Sequence, residues 1–219
     1  MTYPDHTVKH LIFDLDGTLI DSTPGIAASL IAAFLSIGRE MPKAELRHLI
    51  GPPIRVIAQH LDPSLSENDI SIVEREYRAE YDADGWRKTV LFDGVAETLK
   101  AMHSRKQDLF IVTNKPRIPT EKILSHFGLF NIFEEILTRD TSNVAPQTKV
   151  GMVADLLGRH GRKPGEWVMI GDTNEDKEAA NSNGLQFIHA RYGYGVLAAE
   201  NNSIENFSEL TTLLSSKNA

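Results

Sequence analysis

Five short apolar runs constrain the fold of this chain more than any other feature: His10 to Leu15, Leu109 to Thr113, Glu135 to Thr138, Trp167 to Ile170 and Leu185 to His189. They lack the polar alternation of a half-exposed sheet. Each therefore reads as a strand covered on both faces, the habit of parallel sheets packed between helices. Helical patterns separate four of them, near Val95, Leu99 and Met102, from Thr120 to Phe127, from Lys149 to Leu157 and from Asn174 to Asn181. Strand alternating with helix predicts an α/β fold built on a doubly wound parallel sheet.

The first two runs stand more than ninety residues apart, with no convincing strand between them. That stretch reads as a helical insertion. Pro24 opens an amphipathic segment carrying Ile26, Leu30, Phe34 and Ile37, and Gly38 ends it, following the preference for proline at helix starts and glycine past their ends. Ser66 with Asp69 three residues on marks the start of a second helix, with Ile70, Val73, Tyr77 and Tyr81 on one stripe. The expected organisation is a small helical cap domain over residues 21–87, inserted in a discontinuous core of residues 1–20 and 88–219. Its hinges fall at Asp21–Pro24 and Gly85–Asp93, and the tail from Ser215 to Ala219 is expected to fray.

The chain of 219 residues has no cysteine, so disulfides, thiolate metal sites and cysteine nucleophiles are excluded together and the chemistry must use oxygen and nitrogen. The formal charge of −7 repels nucleic acid. Residues 19 to 88, with 11 acids against 8 bases, offer no basic patch to offset it. The longest apolar run, Ile26 to Leu35, is far shorter than the ~18 residues of a bilayer span. The first residues show no secretory pattern. The expectation is a cytoplasmic protein without nucleic-acid or membrane partners, a monomer or homodimer.

The first run ends in Phe13-Asp14-Leu15-Asp16-Gly17-Thr18-Leu19, and in open α/β sheets ligands bind at the carboxyl ends of strands. Asp14 and Asp16, two residues apart on an extended chain, point the same way. Two such carboxylates need a shared cation or proton. A second strand runs into Gly171-Asp172-Thr173-Asn174-Glu175-Asp176. If it neighbours the first, Asp172 joins Asp14 and Asp16 in an all-oxygen pocket suited to Mg²⁺. Asp176 either adds a ligand, directly or through water, or only favours the dipole of the next helix. A third strand ends in Val112-Thr113-Asn114-Lys115-Pro116, where Thr113 either donates to a phosphoryl oxygen or caps locally, with the Asn114 amide beside it. Two lysines compete to balance the acids. Lys149 is preferred over Lys115, because a lysine in the first turn of a helix opposes the macrodipole and needs another reason to be there.

These four stretches, in this order, resemble the four motifs of the haloacid dehalogenase superfamily: Asp14-Leu-Asp16-Gly-Thr-Leu, Val112-Thr113-Asn, Thr148-Lys149 and Gly171-Asp172-Thr-Asn-Glu-Asp176. The Rossmann-like core and small helical cap are what that resemblance implies. Val112-Thr-Asn-Lys-Pro116, Ile50-Gly-Pro-Pro-Ile54 and Tyr192-Gly-Tyr-Gly195 are similar, more narrowly, to phosphoglycolate phosphatases. Those relatives commonly carry the third-motif lysine in Lys-Pro-x-Pro. Here Ala145-Pro146 occupies that place and the lysine follows, as in other members.

The resemblance implies that Asp14 attacks phosphorus, that Asp16 is the general acid and base, and that Thr113 and Lys149 steady the phosphoryl oxygens. It also implies Mg²⁺ held by Asp14, the Asp16 carbonyl and Asp172, with Asp176 nearby. The presence of Asp16 argues against dehalogenation, so the expected substrate is a small phosphorylated metabolite. Gly51 to Arg55 is the expected specificity loop, with Arg55 either meeting a substrate carboxylate or standing as an ordinary surface arginine. A β-phosphoglucomutase-like phosphotransferase and a non-catalytic binding protein are the alternatives.

Overall fold

The structure, a computed structural model, describes residues 8–141, 148–161, 165–198 and 202–216. The Ala145-Pro146 dipeptide and residues 217–219 of the expected frayed tail lie outside the described residues. Two compact units emerge: residues 1–20 with 91–219, and residues 21–90. The chain crosses between them at two short strands, β2 (Ile20–Asp21) and β3 (Val90–Leu91), which pair with each other.

The first unit is a six-stranded parallel sheet. Its strands are β1 (His10–Phe13), β4 (Asp108–Thr113), β5 (Glu135–Thr138), β6 (Trp167–Gly171), β7 (Gln186–Ala190) and β8 (Ser203–Ile204), in the order β5-β4-β1-β6-β7-β8. Helices α4 (Val95–Ser104), α5 (Arg117–His126), α6 (Lys149–His160) and α7 (Asn174–Ser182) make the connections, and α8 (Glu209–Ser216) closes the described chain. Ser215, expected in a frayed tail, is helical: its hydroxyl donates to Thr211 O at 2.8 Å.

β1 and β6 are the two inner strands of the sheet, and both are almost wholly buried. Leu11, Ile12 and Phe13 are wholly buried, each removing roughly 1.5–3 kcal/mol worth of side chain from water. Ile12 is in register with Phe110 of β4 and Met169 of β6. Those three residues pack with Val112, Leu137, Met152, Val153, Leu156, Leu157 and Trp167 in one core. Asp14 continues this register, its N–H donating to Ile170 O at 3.0 Å. The carboxyl ends of β1, β4 and β6 are thereby brought to one sheet edge.

The second unit is helical. It contains α1 (Thr23–Ser36), α2 (Ile54–Leu61) and α3 (Glu67–Ala83), with single 3₁₀ turns at Leu46–Leu49 and Gly85–Lys88. Its own core joins Ile26, Leu30 and Phe34 of α1 to Ile57 and Leu61 of α2 and to Ile70, Val73, Tyr77 and Tyr81 of α3. The start of α3 is set by a reciprocal cap: Ser66 Oγ accepts from Asp69 N at 3.1 Å, and Asp69 Oδ2 accepts from Ser66 N at 3.2 Å.

Candidate active site

Three carboxylates meet at the carboxyl edge of the sheet. Asp14, Asp172 and Asp176 are all buried, and each offers an oxygen within 4.8 Å of the others. Asp14 follows β1, Asp172 follows β6, and Asp176 sits one turn later in α7. The adjacency of β1 and β6 converts a separation of more than 150 residues in sequence into contact.

Lys149 lies among them. Its Nζ is 3.0 Å from Asp14 Oδ1 and 2.6 Å from Asp176 Oδ1. The lysine is 3% exposed. It starts α6, whose N-cap is Thr148, the hydroxyl accepting from Gly151 N at 3.1 Å. Burial alone would favour the neutral amine, but the charges of Asp14 and Asp176 outweigh it and raise the lysine's pKa above its ordinary value.

Asp176 serves two purposes. Its Oδ2 accepts from Thr173 N at 2.9 Å and Thr173 Oγ1 at 2.6 Å, closing a capping box on α7, while Oδ1 receives Lys149. It seats Lys149 and caps α7 while remaining one of the three carboxylates grouped closely enough to hold an ion.

Asp16 points elsewhere than the cluster. Its Oδ1 and Oδ2 accept from Lys115 Nζ at 3.0 and 3.2 Å. Lys115 is itself buried and follows Thr113, whose Oγ1 accepts the Lys115 N–H at 3.2 Å. That geometry leaves the Thr113 hydroxyl proton available to donate. Asn114 Nδ2 donates to Glu175 Oε2 at 2.8 Å. Both lysines weighed from the sequence thus stand in the site, Lys115 on Asp16 and Lys149 on Asp14 and Asp176.

Asp172 is gripped by hydrogen bonds. Oδ1 accepts from Thr18 Oγ1 at 3.1 Å, and Oδ2 from the N–H groups of Tyr194 at 2.8 Å and Gly195 at 3.2 Å. The tyrosine-glycine alternation just after a strand was the one sequence signal for this turn. Burial, then the charge of Asp176, pushes the Asp172 carboxyl up to about 6 against the opposing pull of these donors. Burial likewise raises Asp14 well above the usual carboxylate range, opposed by Lys149 and reinforced by Asp176 and Asp172. Four carboxylates, Asp14, Asp16, Asp172 and Asp176, face two ammonium groups, a deficit that one divalent cation would cancel. The donors are all oxygen, the set that suits Mg²⁺.

Gly51 and Arg55 belong to the helical unit. Gly51 adopts φ +129°. Arg55 reaches from α2 to α3, with Nη2 2.8 Å from Glu67 Oε2 and Nη1 3.9 Å from Glu74 Oε2. Among the described residues no helix is long and apolar enough to cross a membrane.

Comparison with known proteins matches this geometry to a family. The tyrosine-protein kinase PtkA of Mycobacterium tuberculosis is 33% identical over 193 residues, 88% of this chain and 65% of that protein. This chain therefore spans just under two thirds of the length of that relative. The phosphoglycolate phosphatase of Vibrio vulnificus is 30% identical over 197 residues, covering 85% of each protein. Among solved structures, a haloacid dehalogenase-like hydrolase from Streptococcus pneumoniae superposes with a TM-score of 0.82 at 27% identity, over 94% of this chain and 98% of that one. The pattern of the haloacid dehalogenase-like hydrolases matches residues 11–190, a span that holds Asp14, Asp16, Thr113, Lys149, Asp172 and Asp176. The chain belongs to the haloacid dehalogenase-like hydrolase family.

Proposed function

We propose that this chain is a Mg²⁺-dependent phosphatase of small phosphate monoesters, phosphoglycolate-like in class, working through an aspartyl-phosphate on Asp14. The observation that carries the reading is the buried Asp14 carboxylate, 3.0 Å from Lys149 Nζ and grouped with Asp172 and Asp176. Asp14, Asp172 and the Asp16 carbonyl would hold the cation. When bound, Mg²⁺ would offset the repulsion between nucleophile and phosphate.

In the first step an Asp14 oxygen bonds to phosphorus as the bond to the ester oxygen breaks. The departing electron pair stays on that oxygen, which takes a proton from Asp16. In the second, Asp16 removes a proton from water, the water oxygen attacks phosphorus, and the bond to Asp14 breaks to release phosphate. The Lys149 ammonium and the Thr113 hydroxyl steady the equatorial oxygens as charge accumulates.

Activity against a panel of phosphorylated metabolites, with Mg²⁺ and with chelator, tests the reading. Asp14→Asn is expected to abolish turnover of p-nitrophenyl phosphate while the circular dichroism stays that of the wild type. Unchanged turnover rejects Asp14 as nucleophile. A second reading, transfer of the phosphoryl group to an acceptor other than water, is supported by the identity to a protein named as a tyrosine kinase. Mutase assays with a bisphosphate activator and kinase assays on tyrosine peptides separate the two.

A further inference from the structure

The turn after β7, Tyr192-Gly193-Tyr194-Gly195, touches the site without contributing a side chain to its carboxylate cluster. Two of its backbone N–H groups converge on one oxygen of Asp172, and Thr18 Oγ1 takes the other. The Tyr192 hydroxyl donates to Thr18 O at 2.8 Å. Thr18 is therefore held at both ends, its carbonyl by the turn and its hydroxyl by Asp172. Three chain segments, the loop after Asp16, the end of β6 and the turn after β7, close into one hydrogen-bonded ring. The Tyr192 ring is itself fixed by edge-on contact with Phe92, centroids 4.9 Å apart.

Glycine lets this ring close. A Cβ at Gly193 would lie 2.2 Å from Asp172 Cβ and 2.5 Å from Gly17 O, and one at Gly195 would lie 2.1 Å from Asp172 O. These are backbone or near-backbone atoms that cannot swing aside. Any larger residue must lift the turn, and its two donors with it, or displace Asp172.

We propose that the Tyr192–Gly195 turn is a positioning clasp for the metal centre, fixing the Asp172 carboxylate through its backbone while tying the Asp16–Ile20 loop to it through Tyr192. The inference rests on the reading of Asp14 and Asp172 as Mg²⁺ ligands. A carboxylate held by three donors presents one rotamer to the ion and loses little freedom on binding it. Partners that orient metal ligands in this way typically set affinity by ~10–100-fold.

Titration calorimetry of MgCl₂ into the metal-free protein tests the clasp without recourse to turnover. Gly195→Ala is expected to weaken Mg²⁺ binding by ~10-fold or more, and Tyr192→Phe by a few-fold, with the melting temperature of metal-free Tyr192→Phe close to that of the wild type. If Gly195→Ala fails to fold, Tyr192→Phe and Thr18→Val carry the test. Wild-type affinity in the folded variants overturns the clasp and leaves the metal reading standing. A wild-type protein that binds no Mg²⁺ overturns both.

Discussion

Lys115 Nζ spans the two oxygens of Asp16 at 3.0 and 3.2 Å, so the carboxylate proposed as acid and base is anchored by a buried cation from the neighbouring strand. An alkoxide leaving group needs a proton in the transition state, whereas nitrophenolate leaves without one. Lys115→Met is therefore expected to slow release of an alkoxide leaving group in a single turnover by ~10-fold or more, within the ~10²–10⁴ that general acid catalysis supplies, and to affect nitrophenolate release, which precedes the water step common to both substrates, much less. Equal losses in that first step would mean that Lys115 does not support Asp16 as the acid.

Lys149 holds Asp14 and Asp176 together, and its removal leaves two buried carboxylates facing each other. Breaking such a buried pair costs about 3–5 kcal/mol, so Lys149→Met should unfold at lower urea concentration and lose turnover. Adding Asp176→Asn removes one of the orphaned charges. The double variant should be less destabilised than the sum of its parts, and simple additivity in urea melts would contradict the coupling.

Metal binding at the Asp14–Asp172 pair should be visible as stability. Mg²⁺ at about 100 times its dissociation constant adds ~2.7 kcal/mol, a rise in melting temperature of roughly 5–10 °C for a chain of this size. Chelator should reverse it. Asp172→Asn should flatten the response, and an undiminished shift in that variant would remove Asp172 from the ligand set.

At the start of α3, hydrogen bonds from Ser66 hold the Asp69 carboxyl below its ordinary pKa. A carboxyl lowered on folding stabilises fully above its unfolded value near 3.8 and loses that contribution as pH falls through the lower folded value. Ser66→Ala should lower the melting temperature at pH 6 by about 2–4 °C. The gap to the wild type should narrow below pH 3.5, and a gap independent of pH would detach Asp69 from the cap.

Much of the architecture was legible because apolar runs ending in acids leave few choices. Leu11 to Phe13 and Val168 to Ile170 read as strands covered on both faces, and Asp14 and Asp172 each end such a run. β8, two residues long, is too short to show any period. Helix-dipole reasoning prefers Lys149 over Lys115, but it ranks lysines by local position and does not foresee that both reach the acids. The structure places Lys115 on Asp16 from the end of β4, beside β1, and Lys149 on Asp14 and Asp176 from the first turn of α6. Arg55 likewise depends on packing: its glutamate partners come from α3, 12 and 19 residues on, and nothing local foretells that α2 lies against them.

Asp176 joins the architecture to the chemistry in one side chain, since the oxygen that closes the first turn of α7 is bonded to the same carbon as the oxygen that seats Lys149. Fraying of that turn would therefore release the ammonium before the sheet opens. Heat inactivation should run ahead of global unfolding, and the amide of Asp176 should exchange with deuterium faster than those of β1.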